Sequence, residues 1–445
     1  MTHTLIYPNS TRHNERGHLE IGGCDVVELA EKFGTPLFIY DEEAVRDQCR
    51  RYLEAFSSRT DDFEVIYASK AFSAVAMLQI VDQEGLSLDV SAGGEYHTAL
   101  VAGFPRERIF FHGNNKTRGE LEYALENGVG FVVADSFMEL DLLEELCAAR
   151  GLRQKILLRI TPGVHAETHS YIQTGQEDSK FGFGLVEGIA LEAIRRAHTS
   201  EYLELVGLHA HIGSQIFSME GFQRAIEVLV GLIKDAHDQI GWSCRYLNAG
   251  GGLGIRYTEE DSPATVDEYA EVKVRGLEEA MTRVGLPVPR VLVEPGRSLV
   301  GKAGVTAYRV GTIKEVPGIR TFVAVDGGMS DNIRPMLYEA KYEAMLANKA
   351  DEPEDTLVTV AGKHCESGDI LIRDIEIAKP EAGDVLVMPS TGAYAYAMAS
   401  NYNGNPRPAV VLVKEGQAQL IVERETYGDL VARQRPLEGG QAGDR

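Results

Sequence analysis

The chain alternates between short apolar segments and longer amphipathic segments from residue 63 to residue 296. Eight apolar segments are rich in β-branched or aromatic residues, which is typical of strands, and helical spacing of apolar residues follows them, as at residues 138–150. The eight predicted strands are FEVIYASK from Phe63, SLDVSA from Ser87, IFFHG from Ile109, FVVADS from Phe131, ILLRITP from Ile156, VGLHAHIG from Val206, YLNAGGG from Tyr246 and VLVEPG from Val291.

Eight strand–helix alternations predict an α/β fold built on a TIM-type (β/α)8 barrel, which we place at residues 36–300. A doubly wound sheet is the alternative, but its phosphate loop should follow the first strand, whereas the glycine-rich turn here follows the seventh. Polar side chains gather where these strands end, on the face where barrel enzymes build active sites. They are Lys70, Asp89, His112, Asp135, Arg159, His209, His211, the glycines at 250–252 and Glu294.

From residue 301 the pattern changes to strands separated by turns, at residues 304–316, 321–328, 355–362 and 409–425. This pattern predicts a β-rich second domain over residues 301–435. HLEIGG near the N-terminus and the apolar residues 38–40 precede the barrel and are candidates for extra strands of that domain. We therefore expect residues 1–35 to join it, so that both chain ends form the β-domain, and residues 436–445 to be a flexible tail.

Composition narrows the class of protein. The 445 residues include 67 Asp and Glu against 44 Lys and Arg, a net charge of −23, which argues against a nucleic-acid partner. No apolar run approaches the roughly 18 residues that a membrane helix requires, and no signal peptide is apparent. Five cysteines without CxxC pairs indicate reduced thiols rather than disulfides or a zinc site. We expect a cytoplasmic protein that binds no membrane.

Lys70 lies in the sequence YASKAF, at the end of the first predicted strand. There it would point into the barrel mouth, where neighbouring groups would desolvate its ammonium and lower its pKa. Such a lysine can form a Schiff base with a carbonyl substrate or with pyridoxal phosphate (PLP). A strand-end lysine that reaches solvent is the commoner case, so Lys70 alone does not identify a function.

The sequence GGGLG at residues 250–254 follows the seventh predicted strand. Successive glycines let backbone N–H groups approach a phosphate. The segment does not fit GxGxxG in any register, because positions 255 and 257 are Ile and Tyr, and no GxxxxGK[ST] is present. A tight turn is the alternative, but barrels often bind phosphate near the seventh and eighth strands, which favours a phosphate site.

Two histidines and a glutamate follow the sixth and eighth strands. His209 and His211 are two residues apart and share the inward face of a strand. A metal pair is conceivable, but no third ligand has suitable spacing, and an imidazole stacked on a flat cofactor with Ser214 near a phosphate fits equally well. Glu294 can hold a pyridine nitrogen protonated, which strengthens PLP as an electron sink; an internal ion pair with Arg297 is the alternative.

Three segments beyond the barrel also contain reactive or binding side chains. They are DNIRPMLY from Asp331, CESGD from Cys365 and TGAY from Thr391. An arginine suits carboxylate recognition, and a thiol can act as an acid or base once its pKa is tuned. Individually these are ordinary turns of a β-domain, and they would have to reach the barrel mouth from that domain or from another chain.

Taken together and in order, these segments resemble the diaminopimelate decarboxylases, which are PLP enzymes of the alanine-racemase-like fold (type III). The resemblance extends from residue 18 to residue 431, nearly the whole chain. The shared segments are YASKAF, DVSAGGE, FHGNNK, THSYIQTGQEDSKFGFG, HIGSQIF, GGGLGIRYTEED, EPGRSLVG, VDGGMSDNIRPMLYEAKYEA, CESGD and TGAYAYAMASNYN.

The resemblance implies a role for each matching residue and requires no metal. Lys70 would bind PLP covalently, His211 would stack on its ring and Glu294 would bind its nitrogen. The residues expected to hold the phosphate are Ser214, Gly251, Gly252, the turn Glu294, Pro295, Gly296 and Arg297, and Tyr394. The residues expected to contact substrate are Arg297, Arg334 and Tyr338 at the distal carboxylate, Glu366 at the distal ammonium, and Tyr394. Cys365 would be the proton donor, supplied by the partner subunit of a homodimer whose active sites are shared.

The activity implied is PLP-dependent decarboxylation of meso-2,6-diaminopimelate at its D-centre, giving L-lysine and carbon dioxide as the last step of lysine biosynthesis by this route. A decarboxylase acting on ornithine, arginine or a carrier-bound amino acid is the nearest alternative. Arg334 and Glu366 favour a substrate with a second amino-acid head. A racemase of this fold typically places an arginine at the PLP nitrogen instead of Glu294. A non-catalytic PLP-binding protein would lack the second domain, and degenerate relatives usually lose the lysine or cysteine.

Overall fold

The computed structural model describes residues 5–164 and 178–437 and divides them into two compact units. The barrel unit comprises residues 43–164, 178–303 and 392–397. The β unit comprises residues 5–42, 304–391 and 398–437. Most of the segment THSYIQTGQED and of the expected C-terminal tail lies outside the described residues.

The strands, in chain order, are β1 Arg12–His13, β2 Leu19–Ile21, β3 Cys24–Asp25, β4 Leu37–Asp41, β5 Phe63–Ala68, β6 Ser87–Val90, β7 Ile109–Phe111, β8 Phe131–Ala134, β9 Gln154–Thr161, β10 Phe183–Gly184, β11 Leu203–His209, β12 Tyr246–Asn248, β13 Arg290–Val293, β14 Gly304–Val316, β15 Arg320–Val325, β16 Met345–Leu346, β17 Thr356–Ala361, β18 Ile370–Ile377, β19 Val385–Met388, β20 Ala409–Lys414 and β21 Gln417–Val422.

The α-helices are α1 Val26–Phe33, α2 Glu42–Ser57, α3 Val75–Gln83, α4 Gly93–Ala102, α5 Arg118–Glu126, α6 Phe137–Arg150, α7 Ile189–Thr199, α8 Glu220–Ile240, α9 Val266–Val284, α10 Arg297–Val300, α11 Arg334–Tyr338 and α12 Tyr427–Val431. Among these described helices, none is both long and apolar enough to cross a membrane.

The barrel predicted from the sequence is confirmed, and the doubly wound alternative is wrong. The parallel strands pair in the order β5-β6-β7-β8-β9-β11-β12-β13, and β13 pairs with β5, which closes the sheet. Apolar side chains from the strands fill the interior, because a closed barrel of this size leaves room only for its own side chains. They include Ile66, Phe110, Val133, Leu157, Val206 and Leu292.

Strand ends rather than loops alone determine which side chains lie near one another in the barrel unit. Because all eight strands run parallel, their carboxyl ends meet at one face. Helix α9 illustrates how a connecting helix is fixed: Thr265 and Glu268 form a capping box at its start. Its inner stripe includes Tyr269 and Lys273, which lie under the turn after β12.

The β unit contains a nine-stranded sheet whose main path is β18-β17-β15-β14-β4-β20-β21. Strand β4 pairs antiparallel with β14 and parallel with β20, so residues 37–41 belong to this sheet. Sequence analysis placed residue 36 at the start of the barrel, whereas the barrel unit starts after Glu42. The segment HLEIGG contributes β2, which lies in a separate three-stranded sheet with β1 and β3.

Candidate active site at the carboxyl end of the barrel

Lys70 lies in a single 3-10 turn, residues 69–71, immediately after β5. Its side chain is accessible to solvent, yet protein groups of the barrel mouth surround it. Desolvation lowers the pKa of Lys70, but Tyr394, Asp89 and Glu294 outweigh it, so that the pKa is raised. The expectation of a lowered pKa is wrong here, because the sequence argument did not count the acidic groups that face the ammonium.

Glu294 follows β13 and lies at the centre of a buried hydrogen-bond cluster. Its Oε2 is 3.0 Å from His209 Nε2, and its Oε1 accepts a hydrogen bond of 2.6 Å from Asn248 Nδ2. His112 Nε2 lies 2.8 Å from the same Oε1 as an ion-pair contact. Burial raises the pKa of Glu294, but His112 and His209 outweigh it and hold the pKa well below its ordinary value. The carboxylate is therefore ionised.

The three imidazoles near Glu294 differ in charge. Desolvation lowers the pKa of His209 to about 4, so that its ring is neutral at physiological pH. Desolvation, together with the nearby Lys70 and Arg159, also holds the pKa of His211 well below its ordinary value. Desolvation of His112 is outweighed by Asp89 and Glu294, which raise its pKa. His211 therefore presents a neutral ring, and the positive charge beside Glu294 belongs to His112.

The glycine turn after β12 is shaped for a ligand that approaches the backbone closely. Gly250 and Gly252 have φ values of 66° and 111°, which disfavour any residue with a side chain. A Cβ atom on Gly251 would lie 2.0 Å from the carbonyl oxygen of Glu294. Within the described residues, the N–H groups of Gly251 and Gly252 donate no hydrogen bond. Two free N–H donors in one turn suit an anionic group.

Arg297 is the first residue of α10 and contacts three other segments. Its Nε and Nη2 are 3.1 and 3.0 Å from Ser214 Oγ, and its Nη1 donates to the Tyr257 hydroxyl. Its guanidinium lies 4.8 Å from the centre of the Tyr394 ring. Tyr394 belongs to the barrel unit, where its N–H donates to Ala71 O at 2.9 Å.

The turn between Glu294 and Arg297 connects the last strand of the barrel with the first. The carbonyl of Pro295 accepts a hydrogen bond of 3.1 Å from Ala68 N. A Cβ atom on Gly296 would lie 3.1 Å from the carbonyl oxygen of Ala68, so a larger residue would crowd the strand end before Lys70. These contacts fix Glu294 and Arg297 relative to Lys70.

The barrel site combines the amine of Lys70, the ionised carboxylate of Glu294, the neutral imidazole of His211 and a glycine turn that can hold an anion. His112, His209 and Glu294 also have the donor types of a metal site, and their ligand atoms lie within 4.8 Å of one another. Both oxygens of Glu294 are already engaged, one of them by an amide N–H that a metal would displace. The hydrogen bond from Asn248 therefore favours a hydrogen-bonded carboxylate over a metal ligand at Glu294.

The remaining candidates belong to the β unit, where the structure brings them together. Arg334 and Tyr338 are the ends of α11, which packs against β18. Cys365 and Glu366 are exposed in the loop before β18, and the side chain of Met336 lies 3.1 Å from the Cβ position of Gly368. Arg334 is buried and donates to the hydroxyl of Tyr342.

One carboxylate holds the Cys365 loop against the segment before α11. Asp369 Oδ1 accepts a hydrogen bond of 2.7 Å from Met329 N. Its Oδ2 accepts from His364 N at 2.9 Å and lies 2.8 Å from His364 Nδ1. His364 is buried, and Cys365 N donates to Asn403 Oδ1 at 2.9 Å. The thiol is thus on a well-fixed backbone, while its side chain is exposed; Cys24, Cys49 and Cys147 are buried and Cys244 is intermediate.

Several residues that shape the site were not assigned a role from the sequence. Asn248, His112 and His209 fix Glu294. His112 had been noticed only as a polar residue at a strand end, and His209 only as a possible metal ligand beside His211. Gln215 joins the loops after β11 and β12, because its side chain exchanges two hydrogen bonds with the backbone of Ile255. Lys273 could have been noticed in the sequence, because it interrupts the apolar face of α9.

Comparison with known proteins gives the family of the barrel and of the whole chain. Residues 42–301 match the family model described as "Pyridoxal-dependent decarboxylase, pyridoxal binding domain". The diaminopimelate decarboxylase of Bacillus subtilis (strain 168) is 53% identical over 436 residues, which cover 98% of this chain and 99% of that protein.

Solved structures agree with the sequence relatives. The diaminopimelate decarboxylase from M. jannaschii, in complex with L-lysine, matches with a TM-score of 0.91 and 36% identity over 97% of this chain and 99% of that one. The diaminopimelate decarboxylase from Helicobacter pylori, also complexed with L-lysine, matches with a TM-score of 0.84 and 33% identity over 92% and 98%.

Proposed function

We propose a specific reaction and a role for each site residue, on the premise that this chain belongs to the diaminopimelate decarboxylase family of pyridoxal-dependent enzymes. The reaction is removal of the carboxylate from the D-centre of meso-2,6-diaminopimelate, which gives L-lysine and carbon dioxide. We place it in the cytoplasm as the last step of lysine biosynthesis. The observation that supports it most is the buried cluster of Asn248, His209 and His112 around Glu294, at the same end of the barrel as Lys70 and the glycine turn.

The barrel residues fit PLP. Lys70 supplies the amine, the free N–H groups of Gly251 and Gly252 with Ser214 and Arg297 suit the phosphate, and the neutral ring of His211 suits stacking. The Cβ position of Gly250 is 3.1 Å from His211 Nδ1, so that this ring lies beside the glycine turn. When bound, PLP supplies an electron sink that stabilises negative charge at the carbon losing its carboxylate.

Glu294 would keep the ring nitrogen of a bound cofactor protonated. An ionised carboxylate stabilises a nearby cation, so a protonated ring nitrogen would be favoured beside it. Asn248, His209 and His112 prevent Glu294 from taking that proton itself, because their hydrogen bonds and charge stabilise its ionised form. This arrangement favours decarboxylation over chemistry that requires a neutral ring.

Cys365 would donate the proton that replaces the departing carboxylate, and Lys70 would supply the amine that holds the cofactor. The exposed thiol lies on a loop whose backbone is fixed by Asp369 and Asn403. Arg297, Arg334 and Tyr338 hold the distal carboxylate and Glu366 the distal ammonium. The L-centre is unchanged because it serves only as the handle for binding.

We propose that the functional species is a homodimer in which each subunit supplies Cys365 to the other's barrel. Around the Cys365 loop, the apolar side chains Met336, Leu337 and Tyr402 are 44%, 41% and 41% exposed. Tyr402 stacks on His364 with ring centres 5.8 Å apart, and Met336 lies on Gly368. Apolar side chains grouped around an otherwise polar loop are typical of a surface that a partner covers.

The experiment that tests the reaction is turnover of meso-diaminopimelate in D₂O by the PLP-loaded protein. Decarboxylation at the D-centre must introduce one solvent deuteron at carbon 6 of the product, and the product must be L-lysine. Mass spectrometry and NMR locate the deuterium. D-lysine as product, with the deuteron again at carbon 6, would mean that the L-centre loses its carboxylate and would contradict the proposed orientation of substrate.

A further inference from the structure

Helix α9 presents two polar side chains to the carbonyl side of the glycine turn. Lys273 Nζ donates a hydrogen bond of 2.6 Å to Ala249 O, and the Tyr269 hydroxyl donates one of 2.8 Å to Gly250 O. The two residues are one helical turn apart and both are buried, at 2% and 0% exposure. They therefore contact two successive peptide units of the turn from one side.

The direction of these hydrogen bonds determines the direction of the N–H groups. A trans peptide unit is planar, with its C=O and N–H pointing in opposite directions. Because the carbonyl of Gly250 is held toward α9 by Tyr269 and also accepts from Glu294 N at 3.0 Å, the N–H of Gly251 must point away from the helix. That N–H is one of the two free donors of the proposed phosphate cradle.

Lys273 is an unusual residue for a buried helix face. Within the described residues, no carboxylate lies at salt-bridge distance from its ammonium, which instead lies 4.4 Å from the centre of the Phe222 ring and 5.2 Å from that of Tyr269. Desolvation lowers the pKa of Lys273 to about 7. A buried amine without a counter-ion costs folding free energy, so an apolar residue of similar shape would serve the fold at least as well.

We propose that Lys273 and Tyr269 are positioning residues for the phosphate of the cofactor. They hold the glycine turn through its carbonyl groups, and the amine of Lys273 lies on the side of the turn opposite the phosphate. The inference rests on the proposed function, since the ligand is the phosphate of PLP. The peptide unit that Lys273 contacts through Ala249 O ends in the N–H of Gly250, which donates to Asn248 Oδ1 at 3.0 Å, so the lysine fixes the start of the turn. An anion in the cradle would favour the charged form of this buried amine.

The test compares PLP with pyridoxal, which lacks the phosphate, in the purified apoprotein. Affinity for each is measured from the visible band formed with Lys70, after subtraction of the Lys70→Ala background. The variants are Lys273→Met, which keeps the length of the side chain, and Tyr269→Phe, which removes one hydroxyl. Arg275→Met is the control, because Arg275 is on the same helix but its side chain is 54% exposed.

Loss of a hydrogen bond that involves a charged group should weaken PLP binding about 10- to 100-fold in Lys273→Met. A smaller loss of about 2- to 10-fold is expected in Tyr269→Phe, where a neutral donor is removed. Affinity for pyridoxal should remain that of the unsubstituted protein in both variants, and Arg275→Met should bind both compounds normally. Thermal unfolding of Lys273→Met should occur at or above the temperature of the parent protein.

Equal weakening of PLP and pyridoxal would overturn the inference, because the lysine would then support the site as a whole and not the phosphate cradle. Unchanged PLP affinity in Lys273→Met would overturn it as well. If the parent protein forms no band with PLP at Lys70, the proposed function fails and the inference fails with it. If the parent protein does form the band, variants that do not behave as predicted count against the inference alone.

Discussion

At the residue scale, the site works through the charge states of a few side chains. Glu294 is ionised because histidines and an amide surround it, and His209 and His211 are neutral because they are desolvated. Lys70 faces acidic groups that raise its pKa. The charges of these side chains therefore complement a cationic ring nitrogen at Glu294 and a phosphate at the glycine turn. The net charge of −23 does not indicate this local arrangement.

Replacement of Cys365 by serine separates proton donation from cofactor binding. The hydroxyl is a far weaker acid than the thiol, so kcat for diaminopimelate should fall about 10²- to 10⁴-fold. The visible band of bound PLP should remain, because Cys365 is not among the groups of the barrel unit. Steady-state kinetics and absorbance measure the two effects.

Cys244→Ser is the matched control for that substitution. Cys244 Sγ donates to Tyr246 O at 3.2 Å, a hydrogen bond that a serine can also make, so activity should be retained. A Cys365→Ser enzyme with unchanged kcat would exclude the thiol as the proton donor.

At the scale of elements, the glycine turn depends on close backbone approach between neighbouring strand ends. In Gly251→Ala the added Cβ would lie 2.0 Å from Glu294 O, so the turn must shift. We expect destabilisation of about 1–3 kcal/mol and loss of most PLP affinity. Chemical unfolding and titration with PLP measure these quantities.

Gly231→Ala is the control for this element, since Gly231 lies within α8 and its Cβ position has no heavy atom within 4 Å. Alanine there should stabilise the protein by up to about 1 kcal/mol because of its higher helix propensity. Normal PLP binding by Gly251→Ala would show that the turn does not form the cradle.

The end of β21 in the β unit should be sensitive to acid. Burial raises the pKa of Glu425, but hydrogen bonds from Arg407 and Asn401 outweigh it and lower the pKa from 4.5 to about 2. The stabilisation is thus complete above pH 4.5 and is lost as the pH falls toward 2. Glu425→Gln should lower Tm at pH 6 and leave it nearly unchanged at pH 2.

The exposed neighbour Glu423 supplies the control, and Glu423→Gln should leave Tm unchanged at both pH values. An equal loss of Tm in Glu425→Gln at pH 6 and pH 2 would mean that the side chain acts through packing and not through its charge.

At the scale of the whole molecule, the proposed sharing of sites can be tested with two inactive variants. Lys70→Ala lacks the cofactor amine and Cys365→Ala lacks the proton donor. Random reassociation gives half of the dimers one variant of each kind, with one intact site of two, so the mixture should regain about a quarter of the wild-type activity. Activity assays after mixing under dissociating and reassociating conditions measure this.

Lack of any recovery in dimers shown by mass spectrometry to be mixed would contradict shared sites. Each subunit would then supply both residues to its own site.

The sequence was sufficient for the barrel because its strands are fully buried and regularly spaced. It also placed Lys70, His211, Glu294 and the glycine turn at strand ends, where parallel strands must bring them to one face. It did not give the direction in which the pKa of Lys70 shifts, which depends on Asp89 and Tyr394 from distant segments. Strand β4 could not be assigned to one domain from its pattern, because a buried five-residue strand looks alike in both sheets.

The central claim is that this enzyme decarboxylates diaminopimelate and requires its distal amino-acid head. The most direct measurement is product analysis of the PLP-loaded protein with meso-diaminopimelate, ornithine, arginine and lysine. We predict one lysine and one carbon dioxide for each diaminopimelate consumed, with the three other amino acids slower by about 10⁴-fold or more. Intact diaminopimelate together with rapid decarboxylation of ornithine would contradict the account.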